Sequence, residues 1–227
     1  VRFAPEEYQV DNNTVALYHF NEGSGTSAKD ATLNRHDGLI LGGSQWTQKG
    51  KFNSAIIFNG LNDSSPQVSV VEVQDAPSLD LTNNFTIEAW VRPSQLLDHD
   101  AIICKGQASG HAAYCLDALS GRYRFFAFDS NLNVYGINSL AVQQINTWQH
   151  VAATFDGNEI RLYIDGVSQG NITFGAPPLN GQFMANNESL TIGARKGFQN
   201  VYDWAFNGTI DEVRISDRAR QPSEFNL

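Results

Sequence analysis

Apolar and polar residues alternate in short runs along this chain, and turn residues separate each run from the next. Runs typical of β-strands recur about every ten to fifteen residues, and no segment keeps the 3.6-residue helical period for more than about two turns. Representative candidate strands span residues 15–20, 54–58, 68–73, 122–128 and 189–194. The pattern therefore predicts an all-β protein.

Dipeptides that accept positive φ mark several of the turns between these runs. Examples are Asn59-Gly60, Asp156-Gly157 and Asp165-Gly166, and such pairs favour tight β-turns. The last pair joins IRLYI to VSQG, so we predict a hairpin there. Near the end of the chain, the polar segment 217–225 predicts one helical turn close to Pro222.

Length and composition define the class of protein. The chain has 227 residues, 41% of them hydrophobic and 17% charged, which predicts one domain over residues 1–227. A net charge of −9 without a long lysine or arginine run argues against a nucleic-acid partner. The sequence also lacks a long apolar stretch and a signal pattern, which argues against membrane insertion. Val1 in the first position favours a segment excised from a larger protein.

The two cysteines, Cys104 and Cys115, lie in AIICKGQASGHAAYCLDA, where apolar runs flank a turn that contains glycine and serine. Two neighbouring strands joined by this turn would allow a cross-strand disulfide, which would indicate an oxidising compartment. The alternative is a pair of buried thiols that pack as small hydrophobic groups.

Several strand-like segments occur in a fixed order: FTIEAWVRP at 85–93, WQHVAATFDGNEIRLYIDG at 148–166 and GTIDEVRIS at 208–216. Together with YHFNEGSG at 18–25, they resemble the laminin-G-like jelly-roll domains of the concanavalin A-like lectin and glucanase superfamily. The resemblance covers residues 15–215. It implies a two-sheet antiparallel jelly-roll sandwich. It also implies a secreted or cell-surface protein, because this superfamily mostly handles glycans outside cells.

The last of these segments contains a carboxylate that needs a partner. Strand alternation in TIDEVRI predicts that Asp211 shares a face with Val213 and Ile215. A carboxylate on that face would be turned toward the interior, where an unpaired charge costs several kcal/mol. We therefore expect a specific partner for Asp211.

The resemblance implies a structural calcium ion as that partner, bound where the first and last strands meet. Oxygen donors suit this ion, and Asp211 would use some of those near the first strand. The candidates there are Asn21, Glu22 and Asp30. The alternative without a metal is that Asp211 accepts backbone N–H bonds or pairs with Arg35 or Arg214.

An aromatic-rich segment, residues 194–208, offers the chemistry for binding a sugar. Aromatic rings stack on the apolar faces of sugars, and planar polar groups bind the hydroxyls. The candidate ligand-binding residues are Arg195, Phe198, Tyr202, Asp203 and Trp204. Trp204 is the first candidate for a stacking platform, unless Trp204 and Phe206 pack beneath the loop. A second cluster of candidates spans residues 95–100.

This sequence lacks most of the catalytic residues that related enzymes carry. Glucanases of the superfamily carry alternating carboxylates on one strand, whereas the corresponding strand here offers only Glu88, interpreted as a solvated or salt-bridged residue. Alginate lyases combine a tyrosine with histidine, glutamine and arginine, but the segments around His150, Arg124 and Tyr163 lack the lyase motifs. We interpret His150 as a structural hydrogen-bonding residue, and Arg124 as part of the solvent side of a sheet.

The sequence therefore predicts a non-catalytic carbohydrate-binding or adhesion module with a structural calcium, which binds a glycan or glycoprotein as part of a larger protein. One alternative is a structural or protein-binding module without sugar affinity, which burial of the aromatic residues in 194–208 would favour. The other alternative is a glycoside hydrolase or polysaccharide lyase, which requires two convergent ionisable groups in a groove.

Overall fold

The secondary structure is almost entirely β-strand. The computed structural model describes residues 5–61, 67–96, 98–107, 111–174, 183–197 and 201–227. The strands, in chain order, are β1 (Thr14–Tyr18), β2 (Ser27–Ala28), β3 (Gly38–Leu41), β4 (Gln45–Thr47), β5 (Ala55–Asn59), β6 (Val70–Val73), β7 (Phe85–Pro93), β8 (Asp100–Gln107), β9 (His111–Leu119), β10 (Arg122–Phe128), β11 (Val134–Val142), β12 (Gln149–Phe155), β13 (Glu159–Ile164), β14 (Val167–Thr173), β15 (Leu190–Ile192), β16 (Arg195–Lys196), β17 (Tyr202–Asp203) and β18 (Asn207–Ser216).

These strands form two largely antiparallel sheets. Over the described ranges, one sheet has eight strands in the order β14-β13-β12-β7-β18-β5-β4, with β1 paired to β18. The other has ten, in the order β11-β10-β9-β8-β15-β6-β3-β2, with β16 and β17 beside β8. The inner faces of the two sheets pack together around the main hydrophobic core. The predicted two-sheet antiparallel sandwich is confirmed.

Two of the predicted local features are present. Asp165 and Gly166 have φ values of 48° and 73° and connect β13 to β14, so the predicted hairpin turn is confirmed. A single 3-10 turn spans Pro222–Glu224, where one helical turn was predicted. None of the helical turns in the described ranges has the length and hydrophobicity needed to span a membrane.

Alternation along each strand sends one set of side chains into the core. On β7, Phe85 and Ile87 are buried between the sheets, whereas Trp90 packs in a separate cluster on the outward face. Four rings surround Phe85 at centroid distances of 5.6–6.3 Å, and they are Tyr114, Phe125, Phe155 and Phe183. This aromatic cluster joins strands of both sheets and fixes how they stack.

Strand β18 departs from the alternation predicted for it. Its register against β7 shifts between Asp211 and Arg214, and Glu212 has a φ of 48°, so the strand contains a β-bulge. Because of the extra residue, Ile210 and Val213 both lie in the main core. Asp211 instead lies opposite Trp90, on the outward face of the sheet. The prediction that Asp211 shares a face with Val213 is therefore wrong.

Strands β8 and β9 form the hairpin expected from the cysteine segment. Cys104 and Cys115 are opposite each other, with Cα atoms 4.1 Å apart, and they form a disulfide. The disulfide packs with Ala112 and Phe126 in a cluster on the outward face of the ten-stranded sheet. The predicted cross-strand disulfide is confirmed, and the alternative of two free thiols is wrong.

The two ends of the described chain cover the outward face of the eight-stranded sheet. Tyr8 and Leu227 pack there in one apolar cluster with Trp90 and Trp148. The guanidinium of Arg214 lies 4.0 Å from the centroid of the Tyr8 ring. Trp90 and Trp148 therefore pack on the outward face of this sheet.

Candidate functional site

A cavity of about 550 Å³ opens on the outward face of the ten-stranded sheet, and we call it the groove. Strands β9, β10 and β11 form its base, and the β16–β17 hairpin forms one wall. Its apolar lining residues are Ala112, Leu119, Phe126, Phe128, Val134 and Trp204, and its polar ones are Gln107, Arg124, Asn138 and Arg195. The volume falls within the range of about 300–1,000 Å³ that is typical of small-molecule sites.

Trp204 belongs to this groove and is half-buried. The guanidinium carbon of Arg195 lies 3.3 Å from the centroid of the Trp204 ring, which is a close cation–π contact. One face of the indole is thus covered by an arginine. Phe206 is fully buried in the main core. The alternative that both aromatics pack beneath the loop therefore holds only for Phe206, whereas Trp204 lines the groove.

Two arginine–aspartate pairs border the groove. Arg195 Nε and Nη2 donate to the two carboxylate oxygens of Asp203, each at 2.9 Å. Arg124 Nε donates to Asp117 Oδ1 at 2.9 Å, and its Nη2 donates to the other oxygen. Arg124 also lies 4.8 Å from the centroid of the Phe126 ring. Each guanidinium is therefore held in one orientation by a bidentate partner and by an aromatic face.

The remaining candidates from segment 194–208 have different positions. Tyr202 donates a hydrogen bond to Glu72 at 2.8 Å and packs in a separate apolar cluster, so it is not part of the groove lining. Phe198 lies outside the described residues. From the second candidate cluster, His99 has its ring centroid 5.0 Å from that of Trp204. The two predicted clusters thus meet beside the groove.

Sequence reasoning missed Phe126 and Phe128, which form much of the base. The signal was present in RYRFFAF, because Arg124, Phe126 and Phe128 alternate with residues that point into the core. The prediction that Arg124 is on the outward side of its sheet is confirmed. What the alternation could not show is that the β16–β17 hairpin would turn this face into a cavity.

Buried carboxyl groups lie close to the groove. Burial raises the pKa of Asp117 to about 6, although the adjacent Arg124 opposes the shift. Burial also raises the pKa of Asp100 to about 6, and the neighbouring carboxylates of Asp98 and Asp117 add to this effect. Burial is the main cause of both shifts. Both carboxyl groups therefore gain or lose their proton in mildly acidic conditions.

The surroundings of Asp211 suit a cation. Burial raises the pKa of this carboxyl to about 8, with a further contribution from Glu212. Its Oδ2 accepts the Phe52 N–H at 3.0 Å and its Oδ1 accepts the Glu212 N–H at 2.9 Å. Among the described residues, no lysine or arginine forms an ion pair with it. The backbone N–H bonds of the alternative without a metal are thus present, but its arginine partner is not.

Three oxygens approach Gly50 so closely that this position has no room for a side chain. The point where a Cβ would lie on this residue is 2.4 Å from the Phe52 carbonyl oxygen, 2.5 Å from the Ser54 carbonyl oxygen and 2.8 Å from Asp211 Oδ2. Converging carbonyl and carboxylate oxygens are the donors that calcium prefers. The donor types therefore suit calcium, but the point itself is at bonding distance from the Gly50 Cα, so these distances show close packing around the glycine and do not define a cavity for an ion.

The other predicted metal ligands are placed less favourably. Asn21 reaches the same loop, because its side-chain oxygen accepts the Ser54 N–H at 3.3 Å. Glu22 accepts the Lys29 N–H. Asp30 accepts the backbone N–H groups of three residues, namely Leu17, Thr32 and His36. In the described part of the chain, no three His, Cys, Asp or Glu side chains cluster as metal ligands, so any ion here would rely on carbonyl oxygens.

The residues considered for catalysis are divided between the two sheets. Glu88 is buried, and its carboxylate accepts hydrogen bonds from Arg214 Nε at 2.7 Å and pairs with His150 Nε2 at 3.0 Å. The salt-bridge interpretation of Glu88 and the structural hydrogen bond of His150 are both confirmed. Tyr163 packs on the eight-stranded sheet, whereas Arg124 lies on the ten-stranded sheet. The lyase-like set is therefore not assembled.

The fold and the groove define this protein as a jelly-roll β-sandwich with a cavity on the outward face of one sheet. The Laminin_G_3 family of the concanavalin A-like lectin/glucanases superfamily matches residues 65–226, and the chain belongs to this family. The resemblance noted in the sequence is thus confirmed. A sequence search finds no match among curated proteins.

Solved structures share the fold. One of them is domain 4 of AbnA, a GH43 extracellular arabinanase from Geobacillus stearothermophilus, in complex with arabinotriose. It has a TM-score of 0.73 at 24% identity, and the match covers 97% of this chain and 98% of that chain. The binding domain of Paraclostridial Mosquitocidal Protein 1 has a TM-score of 0.70 at 18% identity. The match covers 96% of this chain and 52% of that chain. At these identities the similarity shows the fold.

A structure of botulinum neurotoxin type C has a TM-score of 0.68 at 13% identity. Cell entry of that toxin is dependent upon interaction with two ganglioside molecules. The match covers 95% of this chain and 50% of that one. The present chain therefore spans about half the length of the toxin structures that it resembles.

Proposed function

We propose that this protein is a non-catalytic carbohydrate-binding module, one sandwich domain of a larger secreted or cell-surface protein, and that it binds a glycan in the groove. The observation that carries the proposal is the lining of the groove. Aromatic surfaces of Phe126, Phe128 and Trp204 lie beside the planar polar groups of Gln107 and Asn138, which is the combination that sugar rings and their hydroxyls require.

Two further findings support this proposal. The AbnA domain is described in complex with arabinotriose, and the type C toxin is described by its interaction with gangliosides. The disulfide between Cys104 and Cys115 agrees with an oxidising, extracytoplasmic location. We assign no reaction to the module, because the single carboxylate on β7 is buried and already bound by Arg214 and His150.

The experiment that tests the proposal is a glycan-array screen of the folded protein and of Trp204→Ala. We expect binding to a defined set of glycans and at least about a tenfold loss in Trp204→Ala, because the variant removes a wall of the groove and the support of Arg195. Trp148→Ala, a half-buried tryptophan on the opposite sheet, is the matched control and should bind normally. If the wild-type protein binds no glycan, the structural or protein-binding alternative replaces this proposal.

We also propose a structural calcium ion at the loop 50–54. Asp211 and the carbonyl groups of Phe52 and Ser54 would hold it, and Asn21 contacts the same loop through the Ser54 N–H. The ion would supply positive charge next to a buried carboxylate that otherwise has only N–H partners. It would thereby join β18 to the loop before β5, and its role would be to stabilise the sandwich.

Thermal unfolding with calcium and with a chelator tests this part of the proposal. We expect calcium to raise the Tm of the wild-type protein and to have no effect on Asp211→Asn, because the amide supplies no charge. Asp217→Asn, directly after the end of the same strand, should keep the calcium response. An equal Tm of the wild-type protein in both conditions would contradict a calcium site.

A further inference from the structure

The charges that line the groove differ in sign from those of the chain as a whole. The chain has 24 acidic residues against 15 lysines and arginines. The described lining nevertheless contains two arginines, Arg124 and Arg195, and no acidic residue. Their partners, Asp117 and Asp203, are not part of the lining, so the groove presents guanidinium groups to a ligand and keeps the carboxylates away from it.

We propose that the groove selects glycans that carry a carboxylate, namely uronic acids, and that Arg124 and Arg195 bind this carboxylate. The inference rests on the proposed carbohydrate-binding function and narrows the class of ligand. The evidence for the carboxylate is the set of guanidinium nitrogens on each arginine that already have a hydrogen-bond partner.

Each guanidinium has one edge bound and another edge available. Asp203 binds Arg195 through Nε and Nη2, and Asp117 binds Arg124 through the same two nitrogens. Within the described ranges, neither Nη1 has a hydrogen-bond partner. A guanidinium has five N–H donors, so the edge formed by Nη1 and Nη2 can still donate two parallel bonds. A carboxylate is the planar, two-oxygen acceptor that matches this edge.

The two guanidinium groups are also held rigidly and near each other. Their central carbons lie 3.3 Å and 5.6 Å from the centroid of the same ring, that of Trp204. The aspartates fix the rotation of each group, and Asp117 is fully buried. A ligand therefore meets donors that are already oriented, which reduces the entropy lost on binding. One acidic sugar in the groove lies within reach of both arginines.

The test is calorimetric titration with short oligomers of galacturonate, mannuronate and glucuronate, each compared with its methyl ester and with a neutral oligomer. We expect at least one oligouronate to bind, and its methyl ester to bind at least about tenfold more weakly because the ester cannot accept two charge-assisted bonds. Binding should also weaken as salt is raised from about 0.02 to about 0.2 M.

Variants locate the effect. Arg124→Gln and Arg195→Gln should each lose at least about tenfold in affinity for the oligouronate. Arg122→Gln is the matched control, because Arg122 is on the same strand but donates to the Ser139 and Leu140 carbonyls. The ester comparison needs no variant and stands if a variant fails to fold. Equal binding of acid and ester, or binding of neutral oligomers alone, would overturn the carboxylate inference and leave the carbohydrate-binding function intact. Binding of neither class would overturn both.

Discussion

At the scale of single residues, burial controls the charge of the carboxyl groups near the groove. Asp100 is 5% exposed and accepts only the Asp98 N–H among the bonds described for it. Burial raises its pKa to about 6, and Asp98 and Asp117 place further negative charge nearby. Ionised Asp100 is therefore unfavourable in the folded state, and its negative charge adds to that of Asp117 behind the groove.

This arrangement predicts a pH-dependent contribution to stability. A carboxyl group whose pKa is higher in the folded state stabilises the fold fully below its unfolded pKa, near 4, and loses this contribution as the pH rises through about 6. We expect Asp100→Asn to match the wild-type free energy of unfolding at about pH 4 and to exceed it by about 2 kcal/mol at about pH 7.5. Urea unfolding at both pH values measures the difference.

The control for this experiment is Glu6→Gln, which removes a carboxylate at an exposed position. It should change stability little at either pH, because exposed charges contribute little. If Asp100→Asn is no more stable than the wild-type protein at the higher pH, Asp100 is not destabilised by burial and its raised pKa is wrong.

At the scale of secondary-structure elements, a buried lysine joins β8 to two connecting segments. Lys105 is fully buried, and its Nζ donates to Asp75 at 2.7 Å and to the carbonyl groups of Asn186 and Glu188 at 2.8 and 2.7 Å. The carboxylate of Asp80 is a further 3.3 Å neighbour. The single ammonium group of Lys105 thus lies beside two carboxylates and holds together the segments that contain residues 75–80 and 186–188.

Removing only this charge should be strongly destabilising. Lys105→Met leaves Asp75 and Asp80 without their cation, and breaking one side of a buried ion pair costs about 3–5 kcal/mol. Urea unfolding of this variant measures the loss, with the exposed Lys49→Met as the matched control. A loss below about 1 kcal/mol would show that solvent replaces the ammonium and that the contacts of Lys105 contribute little.

Strand β18 shows where prediction from the sequence stops at this scale. The period-2 pattern located the strand, and hydrophobic alternation is reliable where the ladder is regular. The bulge at Asp211 and Glu212 inserts one residue and interrupts the alternation, so Val213 and Ile215 face the core as predicted, whereas Ile210 and Asp211 lie on the faces opposite to those predicted. Nothing in TIDEVRI marks this position, because Glu212 takes a positive φ that usually favours glycine or asparagine. The backbone N–H partners of Asp211, which one alternative expected, are present, although its face was predicted wrongly.

At the scale of the whole molecule, the sequence predicted the sandwich better than the site. Turn dipeptides, strand spacing and the order of the segments depend on local chemistry, and the structure confirms them. The groove depends on tertiary packing, because it forms only where the β16–β17 hairpin stands beside the outward face of β10. Two candidates from segment 194–208, Trp204 and Arg195, line the groove together, but that segment could not identify Phe126 and Phe128 on a distant strand.

The two outward faces of the sandwich have different roles in this account. The described ends of the chain pack on the eight-stranded sheet, around Tyr8 and Leu227. The groove lies on the ten-stranded sheet and is free of these segments. A ligand in the groove would therefore lie on the opposite face of the sandwich from Tyr8 and Leu227.

The most direct test of the central claim is to map which face a glycan contacts. We would titrate the ¹⁵N-labelled protein with an oligosaccharide selected by the array and follow backbone and side-chain NMR shifts. The account predicts the largest changes at the Trp204 indole N–H, the Gln107 and Asn138 amides and the Arg124 backbone, with none around Trp148. Changes confined to the eight-stranded sheet, or to a rim away from Trp204, would contradict the assignment of the groove as the glycan site.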